Sequence, residues 1–429
     1  METRSVKRYH FKSQSLDDLR KLAMVVTDRA GFRNRHGRLL GILDTEFDEG
    51  VLKTLVQFYD PRYHCFTFPD YQLVPTLEEY SYLMGRPVLE EVPFSGLKEA
   101  LNAPAIAKAL DLKTSEVAAN ITPKAKVQGL TSKFLLSKAY TCASTNRTGA
   151  FESILALLIY GLVLFPNING FVDANAIQIF LTKNPVPTLL ADTYHSIHHR
   201  TMKQDGTILC CAPLLYKWYT MHLPQSYLTK ERGIYSEKIM ALTPAEIVWY
   251  IPAYDSGTII DSCGEFNNVP LIGVHGGINY NPILARRQFK YPVKGKPRDI
   301  VLEGIFYHNH SDSQCMRQRF AEAWKTIHKK DSNQLGRKSD FVHEAYTQWI
   351  IDRAMSYGLP YTLSRFLTST TPELPLPLLP QTKEEYQRRL HEANCESAGW
   401  KVKYQTSERE KDTLMGILEQ TTWEFHEKE

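Results

Sequence analysis

Nowhere do apolar residues run long enough to cross a bilayer. The longest stretch, Ile154–Phe165, is about a dozen residues, against the roughly 20 that a membrane-spanning helix needs. A buried helix is expected there, and no membrane partner. The opening METRSVKRYHFK is polar and basic, without the apolar core of a secretory leader, so none is expected. Cysteine is scarce: 7 in 429 residues, scattered except for Cys210–Cys211. That excludes a disulfide framework and fits a reducing compartment. Charge is nearly balanced, 51 Lys and Arg against 47 Asp and Glu, a net of +4. A surface built throughout to hold a polyanion is therefore excluded, while local basic patches are not. Also missing are a nucleophile elbow, a kinase signature, a paired-carboxylate motif and a P-loop lysine. No catalytic residue and no cofactor is assigned, and the chain is not expected to be an enzyme; an enzyme with none of these motifs is the alternative.

What is there reads as a helical domain. Hydrophobic content of 43% and charged content of 23% are ordinary for a globular chain of this length. The best-specified stretch is Phe66–Gly85. Two extended segments, Phe66–Phe68 and Gln72–Val74, flank a Pro69–Asp70 turn and predict a small β-hairpin. Thr76 with Glu79 three residues later forms a capping box. Leu77, Tyr80, Leu83 and Met84 give the helix an apolar face, and Gly85 stops it. Ser15, Asp17 and Asp18 open a first helix inside a basic N-terminal region, 1–40. Further helices are predicted over Val51–Tyr59, Leu130–Tyr140, Phe151–Leu164, Ala174–Leu181, Leu189–Thr201 and Pro213–Leu223. Another is expected to start at Thr243, and two more to cover Gln314–Lys330 and Asp340–Tyr357. Ile251–Tyr280 is rich in glycine and small polar residues and reads as loop. The expected fold class is thus mostly α: a multi-helix domain over 41–371 with one hairpin near 66–74.

Pro372, Pro375, Pro377 and Pro380 mark a linker over 372–380. Beyond it, in 381–429, Tyr386, Leu390, Trp400, Tyr404, Leu414, Leu418 and Phe425 stand in a register of alternating fours and threes. The register predicts a coiled-coil-like helix able to self-associate; an amphipathic helix folded back on the domain is the alternative.

Four clusters carry potential chemistry. His195, His198 and His199 share one predicted helix, with Cys210 and Cys211 after it. His195 and His199 are one turn apart, but no third ligand has recognisable spacing, so core or surface histidines are expected rather than a metal site. His308, His310, Asp312 and Cys315 read as capping text before a helix. Gly273, Gly276 and Gly277 match no phosphate-binding fingerprint and are expected to form turns. Arg286, Arg287, Lys290, Lys294, Lys296 and Arg298, interleaved with Phe289 and Tyr291, are the densest basic run. Its cations would meet phosphates and its rings stack on bases, making it the nucleic-acid candidate; a solvated face is the alternative.

Several stretches together resemble one plant family. They are LVQFYDPRYHCFTFPDYQLVPTLEEYSYLMG (Leu55–Gly85), ALLIYGLVLFPNINGFVDANAIQIF (Ala156–Phe180), PVPTLLADTYHSIHHR with CCAPLLYKWYTMHL (Pro185–Leu223), and SCGEFNNVPLIGVHGGINYNPILARRQF (Ser262–Phe289). They look like the plant mobile domain proteins, also labelled aminotransferase-like, and a retroelement-associated branch of them. The resemblance covers about Ser15 to Tyr357 and implies a helical domain carried through plant genomes with transposable elements. Its maintenance-of-meristems relatives act in the nucleus in transposon silencing and development, some with a phosphatase-like partner. A nuclear, non-enzymatic scaffold binding proteins is what this implies here. The aminotransferase-like label finds no support in the residues, since no lysine has a pyridoxal-binding context.

Overall fold

The computed structural model describes residues 5–96, 101–224, 227, 235–254, 257–301, 304, 306–308, 314–339 and 342–361. They belong to one compact unit, Met1–Ser364. The 372–380 linker and the heptad register from Tyr386 to Phe425 lie outside the described residues.

The capping-box helix, Leu77–Met84, forms as its sequence requires. The Thr76 hydroxyl accepts from the Glu79 N–H, the Glu79 carboxylate accepts from the Thr76 N–H, and Gly85 closes the helix in the left-handed region at φ 63°. The hairpin before it is present and gains a third strand. Tyr59–Asp60, Cys65–Thr67 and Gln72–Leu73 form an antiparallel sheet.

At the centre runs the Val186–Lys203 helix, buried without a break from Val186 to Ile197. Such a helix must be apolar or satisfied on every side. It packs on the capping-box helix, on the strands Val269–Ile272 and Gly276–Tyr280, and on Asp205–Ile208. The last of these pairs in parallel with Arg8–Phe11, which brings the N-terminal segment into the fold. The predicted Phe151–Leu164 helix is two pieces, an α-helix over Thr148–Ile159 and a π-turn over Tyr160–Leu164. Gly161 lets that turn sit on Val172, whose methyl groups leave no room for a Cβ.

Four expectations are corrected. The chain is a mixed α/β fold, helix-rich, with thirteen strands in five small sheets among the described residues. It is not a helical domain with one hairpin. Ile251–Tyr280, expected as loop, holds three strands: Thr258–Cys263, Val269–Ile272 and Gly276–Tyr280. The latter two are buried at every position, so the period-2 alternation that marks a half-exposed strand never appears. Likewise the helix predicted over Gln314–Lys330 ends at Ala323, and Ile327–Asp331 pairs with Thr258–Cys263. The Thr243 start, though its backbone N–H bonds the Glu246 carboxylate, makes a turn only.

Distant segments are tied by buried polar groups. Glu79, 1% exposed, accepts from the indole N–H of Trp218 at 2.8 Å and the amide of Gln288 at 2.9 Å. Gln288 also bonds both backbone polar groups of Val74, acting as a strand partner supplied by a side chain. His222 Nε2 lies 3.1 Å from the second Glu79 contact atom, Oε1. Because His222 Nδ1 faces the Val248 carbonyl at 2.8 Å, and a carbonyl only accepts, Nδ1 must carry a proton. Arg353, on the Glu344–Tyr357 helix, grips the fully buried Asp60 with two bonds of 2.6 and 2.7 Å.

Removing the Glu79 carboxylate leaves the Trp218 indole N–H, and one of the two Gln288 amide protons, buried without an acceptor. Glu79→Ala is expected to cost about 3 kcal/mol of unfolding free energy in urea denaturation. A loss below about 1 kcal/mol would show that this node is not structural.

Candidate functional site

The basic run does not form a continuous cationic face. Phe289 and Tyr291 are each 3% exposed, so neither offers a ring to a base. Arg286 bonds Asp261 at 2.8 Å, and Arg287 lies 4.4 Å above the Trp249 ring. Lys290 sits near the Tyr250 ring, and Lys296 pairs with Asp299 at 3.0 Å. Lys294, Lys296 and Arg298 are exposed. The sequence saw the charge density; burial decides which charges reach solvent.

The histidines come together more than spacing foretold. His195 and His199, one turn apart on the central helix, both meet His308, with ring centroids 5.1 and 4.0 Å away. Phe306 packs against His195 and His198 at 4.9 and 4.4 Å, and His64 meets His198 at 5.0 Å. His195 Nε2 donates to the Tyr307 carbonyl. Burial, with further lowering from neighbouring imidazoles, holds His195 and His198 at about 3 and His199 at about 4. At neutral pH these rings are uncharged packing groups. Among the described residues no three His, Cys, Asp or Glu side chains are placed to hold a metal ion. Cys210 and Cys211 are buried, Cys315 is exposed, and His310 and Asp312 lie outside the described residues.

The glycines serve close approach rather than phosphate binding. Gly276, at φ 153°, leaves room for the Tyr307 carbonyl and His195 Nε2, and a Cβ on Gly277 would strike the Tyr307 ring. Gly273 sits against the Asp192 carboxylate, which accepts the Val274 N–H at 2.7 Å.

The site with room for a ligand is elsewhere. A cavity of about 830 Å³ opens beneath the first turn of the Thr148–Ile159 helix. Arg35 and His36 reach it from the end of the Arg29–His36 helix, and Arg86 from just past Gly85. Lys108 comes from the Ala103–Leu110 helix and Lys183 from the left-handed cap of Ala174–Thr182. Helix C-termini favour cations individually; here several ends converge on one space. One carboxylate, Asp111, lines the same space, and it is held by Arg147 at 2.7 Å. Arg35 is held by Glu152, which is 1% exposed, through bonds of 2.7 and 2.9 Å. Arg86, Lys108 and Lys183 enter none of the ion pairs found among the described residues.

The neighbouring charges register on His36. Burial first, then Arg86, Arg35 and Lys183, hold its imidazole down at about 4. The helix above the cavity has no side-chain cap. Its first backbone bond runs from Phe151 back to Arg147, so the N–H groups of Thr148, Gly149 and Ala150 precede the helical ladder. Tyr160, at the start of the π-turn, and Phe180 form part of the wall, edge to face at 5.3 Å. Single-turn π segments recur at functional sites. No local pattern cues this site: Arg86, Lys108 and Lys183 stand singly in three separate segments, and no basic run announces them.

A family model described as a domain of unknown function, DUF7745, matches residues 19–355. No curated protein and no solved structure matches the chain.

Two outcomes follow from the site's electrostatics. In the unfolded chain the cluster histidines titrate near 6.5, and in the fold near 3 to 4. As pH falls between those values the unfolded chain takes up more protons, so stability present above 6.5 is progressively lost. Lys203 and Arg200 add to the lowering at His199. His64 is also lowered by burial, while Asp192 on the same helix is pushed up to about 8 and acts in the opposite sense. A denaturation midpoint recorded against pH should therefore fall on acidification, and His198→Phe should flatten that fall; an unchanged slope would refute it. Separately, Arg286→Ala is expected to lower stability by about 1.5 kcal/mol through its bond to Asp261, measured by the same denaturation.

Proposed function

The chain belongs to the DUF7745 family, and we propose that its domain works by recognition rather than catalysis, holding a negatively charged group of a partner in the cavity beneath Thr148–Ile159. The observation that carries this is the convergence there of Arg86, Lys108 and Lys183, none of them ion-paired among the described residues. His195, His198 and Asp192, whose titration is strongly shifted, are absent from the cavity's lining, and the one shifted imidazole that is there, His36, is held at about 4 by burial and the surrounding cations. The lining instead offers arginines and lysines, which suit anion binding. In the plant mobile domain reading, the partners are proteins, one of them phosphatase-like. The role is then that of a retroelement-derived scaffold in the nucleus, in transposon silencing or development.

The alternative, a nucleic-acid module, rests on Lys294, Lys296 and Arg298, the exposed end of the basic run. The two readings separate by charge reversal. Partner capture from plant nuclear extract is expected to drop at least tenfold in Arg86→Glu/Lys183→Glu and to weaken with salt. Lys294→Glu/Arg298→Glu should leave it unchanged. Capture that survives the first pair of changes and is lost with the second would overturn the cavity reading.

A further inference from the structure

We propose that the cavity takes a phosphoryl group carried on a flat ring, as in a nucleotide or an aryl phosphate. This deepens the recognition reading and rests on it.

The charge count comes first. Arg35, Arg86, Lys108 and Lys183 bring four positive charges to the lining and Asp111 one negative, a surplus of three. With Arg35 committed to Glu152, three cations still face the space. A phosphomonoester carries close to two negative charges near neutral pH and three acceptor oxygens. A carboxylate presents two oxygens and one charge, and would leave cations and donors unanswered.

Donors of a second kind are present. The N–H groups of Gly149 and Ala150 belong to the uncapped first turn of a 12-residue helix, and both residues line the cavity. A Cβ on Gly149 would meet nothing within 4 Å, so a ligand can approach that backbone closely. Helix N-termini of this kind hold phosphate through their amides and dipole. Here the amides act together with the side-chain cations and are not asked to make a site alone.

Part of the lining is apolar. Phe180 is partly buried, with Tyr160 set edge-on at an interplanar angle of 82°, and Leu181, Ala105 and Ala109 extend the surface. A flat ring lying there would gain the offset or edge contacts that aromatic groups prefer. At about 830 Å³ the space falls within the range of small-molecule and cofactor sites. Inorganic phosphate alone would leave most of it empty. Ser153 and Asp111 remain as partners for a hydroxyl or amino group of the carrier.

Isothermal titration of the full chain tests this with adenosine monophosphate, phenyl phosphate, O-phosphotyrosine, inorganic phosphate and succinate. Ring-bearing phosphates are expected to bind at least about tenfold more tightly than inorganic phosphate or succinate, and less tightly as salt rises. Tightest binding by the nucleotide would assign the ring to a nucleobase, and tightest binding by phenyl phosphate or phosphotyrosine to an aryl group; either supports the proposal. Lys183→Glu should weaken binding about tenfold or more. Gly149→Val, whose added Cβ would meet no protein atom within 4 Å, should do likewise while the thermal midpoint holds. Equal binding of succinate, phosphate and the ring phosphates would overturn the ring inference yet leave anion recognition standing. No binding of any of the five would remove both, and so would ring-phosphate affinity unchanged by both substitutions.

Discussion

One buried carboxylate holds the fold's parts in register. Glu79 answers donors from its own helix start, from Trp218 and from Gln288, and lies 3.1 Å from His222 Nε2. Burying an acid this deeply is unfavourable unless its lone pairs are matched. Here they are matched by groups 139 and 209 residues away in sequence. The capping-box helix, the Ala212–Met221 helix and the turn at Arg286–Phe289 therefore cannot shift independently. Asp60 and Arg353 do the same for the hairpin sheet and the Glu344–Tyr357 helix.

That internal stitching separates groups that look reactive from groups that are available. The histidine cluster has the density expected of a metal or acid–base site, yet its rings are neutral at pH 7 and packed on Phe306. The basic run has the density expected of a nucleic-acid face, yet its rings are core and two of its arginines are engaged with Asp261 and Trp249. The cations around the cavity were inconspicuous in the chain, and none of Arg86, Lys108 and Lys183 is used to hold the fold together by an ion pair among the described residues. A cation left without a carboxylate near a concave wall is better suited to an incoming anion than one already paired.

The same elements explain where sequence reading succeeded. Helices with a local start signal and an apolar face, such as Leu77–Met84 with its capping box and Ala212–Met221 with a proline in its first turn, carry their own instructions, because the i, i+3, i+4 pattern and the start residues act within one or two turns. Strands buried on both faces carry no such pattern, so Val269–Ile272 and Gly276–Tyr280 passed for loop. Ile327–Asp331 is a strand only because Thr258–Cys263 offers it an edge.

Read along the chain, the residues specify local features. Thr76 and Glu79 fix a helix start because their two hydrogen bonds close within four residues. How the rest of that carboxylate is used, and how lone cations from three helix ends come to share one space, is settled by packing between distant segments. Both depend on segments tens to hundreds of residues apart meeting in a packed interior, and no short-range pattern encodes that meeting.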